Sequence, residues 1–338
     1  MPLPSLSQIR DAQTVVYRYM PPTPQYSWPL INERLSAEHS LPGRRLGVEA
    51  WIKHENHTPV GAFKLRGALV YLEWLKQTQL ELAGVVAATR GNFGQGVAMA
   101  ARLLGVKAAI VVPHGNNKEQ NRAIISQGAE LIEHGHDFQA SLEFAGALAA
   151  ERGFAMVDSF HDRLVMGTAT YALEFFQAAP PLDTVYVPIG LGSSICGIVA
   201  ARNALELATE VVGVVAAESP SYSLSFKQHT MVEAPSRTTI SDGQACRTPN
   251  LQAMEIIWEH VARIVEVTDA EIAQAMRVYF QDTHNLAEGA GAAALAGAMH
   301  EMKEEREKRN HAAKTIGIVL SGGNVDRQTY ADVLAGVI

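Results

Sequence analysis

The feature that most constrains the fold of this chain is an alternation. From Val48 onward, short runs rich in β-branched residues recur, each separated from the next by a longer stretch with apolar residues at helical spacing. Such a pattern argues for an α/β fold, with helices covering a mostly parallel sheet. Strands are expected over Val48–Lys53, Val85–Ala88, Ala108–Val112, Leu131–Glu133, Thr184–Pro188, Val211–Ala217, Ile264–Val267 and Ile316–Leu320. Most are unbroken apolar runs, as befits strands buried on both faces. Helices are expected over Leu65–Leu75, Gly94–Leu104, Lys118–Gln127, Phe138–Arg152, Val165–Gln177, Ile198–Leu205, Ala270–Asp282 and Gly289–Glu301. The stretch Ser219–Asn250, with weak periodicity, predicts a long irregular connection of the kind that is often functional.

Composition narrows the function classes. At 338 residues and 47% hydrophobic, the chain can bury a large core in one or two domains. A net charge of -7, with no basic run beyond the mixed-sign stretch Lys303–Arg309, leaves no electrostatic footprint for nucleic acid. That stretch predicts a solvated helix face. The two cysteines, Cys196 and Cys246, stand far apart in no metal-ligand spacing, so neither a disulfide framework nor a metal site is expected. The first residues lack a signal-peptide pattern and no apolar run approaches membrane-spanning length, so a cytoplasmic protein without membrane contact is expected.

In open α/β sheets ligands bind beyond the carboxyl ends of strands, and four loops in such positions are unusual. In the first, Phe63-Lys64-Leu65-Arg66-Gly67, a lysine enters a helix among apolar and small residues. Burial there disfavours the ammonium and frees an amine for attack on a carbonyl, although a surface lysine has the same local pattern. In the second, Thr89-Arg90-Gly91-Asn92-Phe93, helix-start N–H groups suit a carboxylate, and a glycine-rich turn capped by Asn92 is the plainer alternative. The third, Gly190-Leu191-Gly192-Ser193-Ser194, can cradle a phosphate. It lacks the third glycine of a dinucleotide fingerprint and the lysine of a Walker loop. The fourth, Ser321-Gly322-Gly323-Asn324-Val325-Asp326, offers a hydroxyl to a ring nitrogen or forms a tight helix-capping turn.

Together the four loops resemble the fold-type II, tryptophan-synthase-β-like pyridoxal-phosphate enzymes, most closely the threonine and serine dehydratases. The resemblance implies an α/β architecture of two open, twisted, mostly parallel domains with the active site in the cleft. Residues 1–76 with 161–338 would form a large cofactor domain, residues 77–160 a small one, and no C-terminal regulatory domain would follow. It implies pyridoxal 5'-phosphate as cofactor and Lys64 as the catalytic Schiff-base lysine. Phe63 would pack beside the ring, Asn92 would hydrogen-bond the ring's 3'-oxygen, and Gly190, Leu191, Gly192, Ser193 and Ser194 would hold the phosphate. Ser321 would face the pyridine nitrogen, and Gly243 and Glu288 would line the pocket. Thr89, Arg90, Gly91, Asn92 and Phe93 would bind the substrate α-carboxylate.

Departures from the family pattern sharpen the reading. Ala62, Leu191 and Ser193 replace family residues, and Glu218 matches only the first carboxylate of the family's metal site, so no metal is expected. Arg90 stands where serine racemases carry a second catalytic serine, which disfavours racemisation. An arginine there either binds a second substrate carboxylate, as in 3-hydroxyaspartate, or points to solvent. The expected function is α,β-elimination from a β-hydroxy amino acid such as threonine or serine, giving a 2-oxo acid and ammonia. Alternatives are a 3-hydroxyaspartate dehydratase, β-replacement or threonine-synthase-like chemistry, and a non-catalytic ligand-binding homologue. The family habit implies a homodimer acting on a small amino acid.

Overall fold

The computed structural model describes residues 1–36, 47–79, 81–136, 138–307 and 313–338. The chain opens with α1 (Leu6–Val16), β1 (Gln25–Ser27), α2 (Pro29–Leu35), β2 (Val48–His54) and α3 (Lys64–Thr78). There follow β3 (Gly84–Ala88), α4 (Asn92–Leu104), β4 (Lys107–Val112), α5 (Lys118–Ser126), β5 (Glu130–Glu133), α6 (Phe138–Arg152) and β6 (Ala155–Met156). The remainder comprises α7 (Asp162–Ala178), β7 (Thr184–Pro188), α8 (Ser193–Ala204), β8 (Glu210–Ala216), α9 (Ser221–Gln228), α10 (Leu251–His260) and β9 (Arg263–Val267). It ends with α11 (Asp269–Thr283), α12 (Gly289–Glu307), β10 (Lys314–Leu320) and α13 (Arg327–Ala335).

Every expected strand is present, with ends within two residues of those anticipated. The expectation of an irregular Ser219–Asn250 is corrected: α9 and a short 3-10 turn at Asp242–Gln244 lie inside it. Helix α9 carries little apolar periodicity because three of its buried residues, Ser221, Ser223 and Ser225, are serines beside the buried Tyr222. Ser221 Oγ donates to the Cys246 carbonyl (2.7 Å) and Ser225 Oγ to the Ser221 carbonyl one turn back (2.7 Å), so polar contacts supplement the packing of Tyr222. The expected solvated face from Lys303 begins as an exposed continuation of α12, and residues 308 and 309 of that run lie outside the described residues.

The strands form two sheets. Six make one sheet in the order β1-β2-β10-β7-β8-β9, parallel except for β1. Four make a wholly parallel second sheet, β5-β4-β3-β6. Side chains alternate between two buried faces. In the larger sheet Tyr186, Val212, Val214 and Ile318 pack with Ala293 and Leu295 of α12, while Val185, Val187, Val211 and Val319 pack with Ala172 and Val199 of α7 and α8. In the smaller sheet Val85, Ala87 and Ile110 face α3 and α4, and Val86, Ala109 and Val111 face α6.

Connectivity places the site. After β2 the chain leaves the larger sheet through α3, builds the smaller sheet, and returns through α7 to β7. The last strand, β10, then inserts between β2 and β7. The loops after β2, β10 and β7 therefore sit side by side at one carboxyl edge, at a switch point of the strand order. Among the described residues no helix is long and apolar enough to cross a membrane.

Candidate active site

The loop after β2 turns at Gly61 (φ +70°), in the left-handed region that glycine adopts without strain. It is stitched to the loop after β10: the Phe63 N–H donates to the Ser321 carbonyl (3.1 Å) and the Gly323 N–H to the Gly61 carbonyl (2.9 Å). Lys64, the first residue of α3, is thereby held beside Ser321. Its Nζ lies 4.6 Å from the centre of the Phe63 ring, which in turn meets Tyr171 edge-on. Burial pushes the Lys64 ammonium down to about 8, opposed by the Glu288 carboxylate. The reactive amine that the sequence pattern calls for is therefore accessible near neutral pH.

Glu288 immediately precedes α12, and burial pushes its carboxyl up to about 7. Its Oε1 accepts from Asn92 Nδ2 (2.7 Å), and Asn92 Oδ1 accepts from Asn324 Nδ2 (2.7 Å). Asn92 is the first residue of α4, with Gly91 as the cap; it does not cap the helix itself. Gly91 donates its N–H to Thr89 Oγ1 (3.2 Å), which shapes the loop ahead of the helix. Phe93 is buried, whereas Arg90 is exposed and, among the described residues, without a carboxylate partner.

Helix α8 opens at Ser193 behind Gly192 (φ +98°), so the N–H groups of its first turn face outward from the sheet edge. Both serines are buried. The Ser194 hydroxyl bonds the Tyr171 hydroxyl (2.7 Å). The 3-10 turn carrying Gly243 packs directly on this loop, because a Cβ added at Gly190 would lie 2.2 Å from the Gly243 carbonyl oxygen. Gln244 anchors the turn by donating to the Val214 carbonyl (2.7 Å). A small cavity joins these parts, lined by Phe63, Lys64, Phe93, Ser159, Thr168 and Ser193. A wider cavity lies at the opposite, amino edge of the larger sheet, near Leu182 and Lys314, away from Lys64.

Lys64, Asn92, Glu288 and Ser321 thus come together, with the loops at 89–93 and 190–194 on either side. Glu218 stands apart: its Oε1 accepts from the Asp269 N–H (3.3 Å) at the start of α11. Sequence reasoning missed Asn324 as a site residue, although it lay inside a quoted motif, and Tyr171 as the partner of Ser194. It also missed Gln120 of α5, whose Nε2 donates to the Asn324 carbonyl (3.3 Å), because nothing local marks a helix that reaches the site from another sheet.

The donor set fits pyridoxal phosphate. A buried amine suits its aldehyde, and an outward helix N-terminus suits its phosphate. The buried Ser321 hydroxyl has only a weak partner, the Ala290 carbonyl at 3.5 Å, so its proton is left for a ring nitrogen. Fold and site are those of the fold-type II pyridoxal-phosphate enzymes. Residues 34–322 match the family described as pyridoxal-phosphate dependent enzyme, and the chain belongs to it. It is 36% identical over 292 residues to the L-threonine ammonia-lyase of Geobacter sulfurreducens, covering 86% of this chain and 71% of that one. It is 29% identical over 337 residues to the L-threo-3-hydroxyaspartate ammonia-lyase of Saccharomyces cerevisiae, covering 99% of this chain and 98% of the relative. A solved pyridoxal 5'-phosphate-dependent aspartate racemase superposes with a TM-score of 0.87 at 27% identity, over 96% of this chain and 97% of that one.

Proposed function

We propose that this protein is an ammonia-lyase that converts a β-hydroxy amino acid of the threonine or serine type to a 2-oxo acid and ammonia, the water lost in the elimination being taken up again in hydrolysis. The observation that carries this reading is the Lys64 amine, held low by burial between the Phe63 ring and the Ser321 loop. Bound beside it, the cofactor supplies an aldehyde for that amine and an electron-withdrawing ring that acidifies the substrate α-carbon. Residues 89–93 hold the α-carboxylate at the start of α4, and residues 190–194 with Gly243 hold the phosphate. Lys64 Nζ would take the α-proton and pass it to the β-hydroxyl, which departs as water; a water then hydrolyses the resulting imine to the 2-oxo acid and ammonia. A hydroxyl at Ser321, in place of a carboxylate, would hold the pyridine nitrogen by a neutral hydrogen bond, an arrangement that favours loss of the β-substituent.

The exposed Arg90 and the hydroxyaspartate ammonia-lyase relative support a dicarboxylic substrate as a second reading. Racemisation is the reading that the solved aspartate racemase brings forward, and β-replacement would use the same lysine. The strands of the second sheet, which fall between 84 and 156, support a small domain over residues 77–160. A cytoplasmic homodimer completes the proposal.

The test is the visible spectrum of the purified protein, followed by 2-oxo acid release from serine, threonine and threo-3-hydroxyaspartate, with Lys64→Ala as control. A Lys64-dependent visible band with keto-acid release supports the lyase. Inversion of the amino acid without keto acid, or a band without turnover, overturns it.

A further inference from the structure

We infer that Asn324 is a positioning residue for the cofactor: it locks the amide of Asn92 so that an N–H, not a carbonyl, faces the ligand. A backbone carbonyl can only accept. Asn324 Nδ2 donates to the backbone carbonyl of Val60 (2.7 Å), which fixes which end of the Asn324 amide is nitrogen. The second proton of the same nitrogen goes to Asn92 at 2.7 Å, so the atom of Asn92 that meets it is the oxygen. The Asn92 nitrogen then carries two N–H groups: one meets Glu288 Oε1 at 2.7 Å, which leaves the second for a ligand.

Asn324 is itself well held. Its backbone N–H reaches the Glu288 carboxylate, and its carbonyl accepts from Gln120 Nε2 (3.3 Å). Gly61 makes room for it, since a Cβ there would lie 2.6 Å from Asn324 Oδ1. One side chain thus joins the loop before α3, the first residue of α4, and the loop after β10, which belong to two sheets. The inference rests on Asn92 as the partner of the cofactor's 3'-oxygen, and it is independent of which amino acid is the substrate.

The experiment titrates pyridoxal phosphate into cofactor-depleted wild type, Asn92→Ala, Asn324→Ala and the double variant, reading affinity and the pH midpoint of the visible band. Asn324→Ser and Asn324→Asp join the set, and melting temperature reports folding. Loss of one neutral hydrogen bond predicts about a tenfold weaker affinity in Asn324→Ala. An N–H on an ionised oxygen favours ionisation, so freeing Asn92 raises the band's pH midpoint. Because Asn324 acts through Asn92, the double variant resembles Asn92→Ala in both readouts. Effects that multiply in the double variant, or a lower melting temperature with affinity and midpoint unmoved, would overturn the inference. Unchanged affinity and midpoint in Asn92→Ala remove the Asn92 reading and this inference with it. A weakened Asn92→Ala beside a wild-type-like Asn324→Ala removes this inference alone.

Discussion

Two residues after the site lysine, Arg66 lies fully buried with its Nη1 2.6 Å from Glu174 Oε1. The guanidinium also reaches Glu55 Oε2 through Nε (2.7 Å), and Lys53 Nζ completes the cluster at 2.6 Å from Glu174 Oε2. Two cations and two carboxylates balance, and Tyr17 and Thr23 supply further hydrogen bonds. The cluster ties α3 to β2 and α7 at the turn where Lys64 is presented.

Arg66→Met should cost about 3–5 kcal/mol of stability, because it leaves two buried carboxylates facing one cation. Urea unfolding of wild type and variant measures the difference. A loss under about 1 kcal/mol would mean that the cluster is solvated and does not fix α3.

Gly192→Ala should be poorly tolerated. The position has φ +98°, and a Cβ there would lie 2.6 Å from the Ala253 Cβ, so strain and overlap act together at the loop proposed to hold the phosphate. The expected result is at least about tenfold weaker cofactor binding, a loss equivalent to about 1.4 kcal/mol. Equilibrium dialysis against pyridoxal phosphate decides it, with inorganic phosphate as competitor.

Glu288 gives the cofactor-free protein a pH dependence with a definite sign. Burial raises its carboxyl from 4.5 to about 7, so the folded state holds the proton more tightly than the unfolded chain. That contribution is complete below 4.5 and is lost as pH rises to about 7. Glu288→Gln should remove the slope, gaining on wild type by up to roughly 3 kcal/mol across this window. Melting temperatures at pH 4.5 and 7.5 compare the two; parallel curves would contradict the assignment.

Arg90→Ala separates the two substrate readings. An arginine that binds a second carboxylate predicts a rise of about tenfold or more in KM for threo-3-hydroxyaspartate, with KM for serine within twofold. Equal rises on both substrates would assign Arg90 to the shared α-carboxylate, and no change on either would show that it faces solvent.

Much of this protein could be read directly from its residues. Apolar runs such as Val85–Ala88 and Thr184–Pro188 announce strands because burial on both faces demands hydrophobicity at every position. Lys64, Gly192 and Ser321 announced themselves through small residues and helix starts, which are local properties. What stayed hidden depends on partners distant along the chain. Helix α9 is held by serine hydroxyls on carbonyls, and β1 is three residues long and exists by pairing with β2.

The deepest contrast lies within one motif. The sequence marks Ser321 to Asp326 as a turn after the last strand. That Asn324 in that turn meets Asn92, 232 residues away, follows only from β10 inserting between β2 and β7. Local chemistry determines which residues can bind a cofactor. Strand order determines which of them share a site, because hydrogen bonds act over about 3 Å and chain proximity says nothing about that distance.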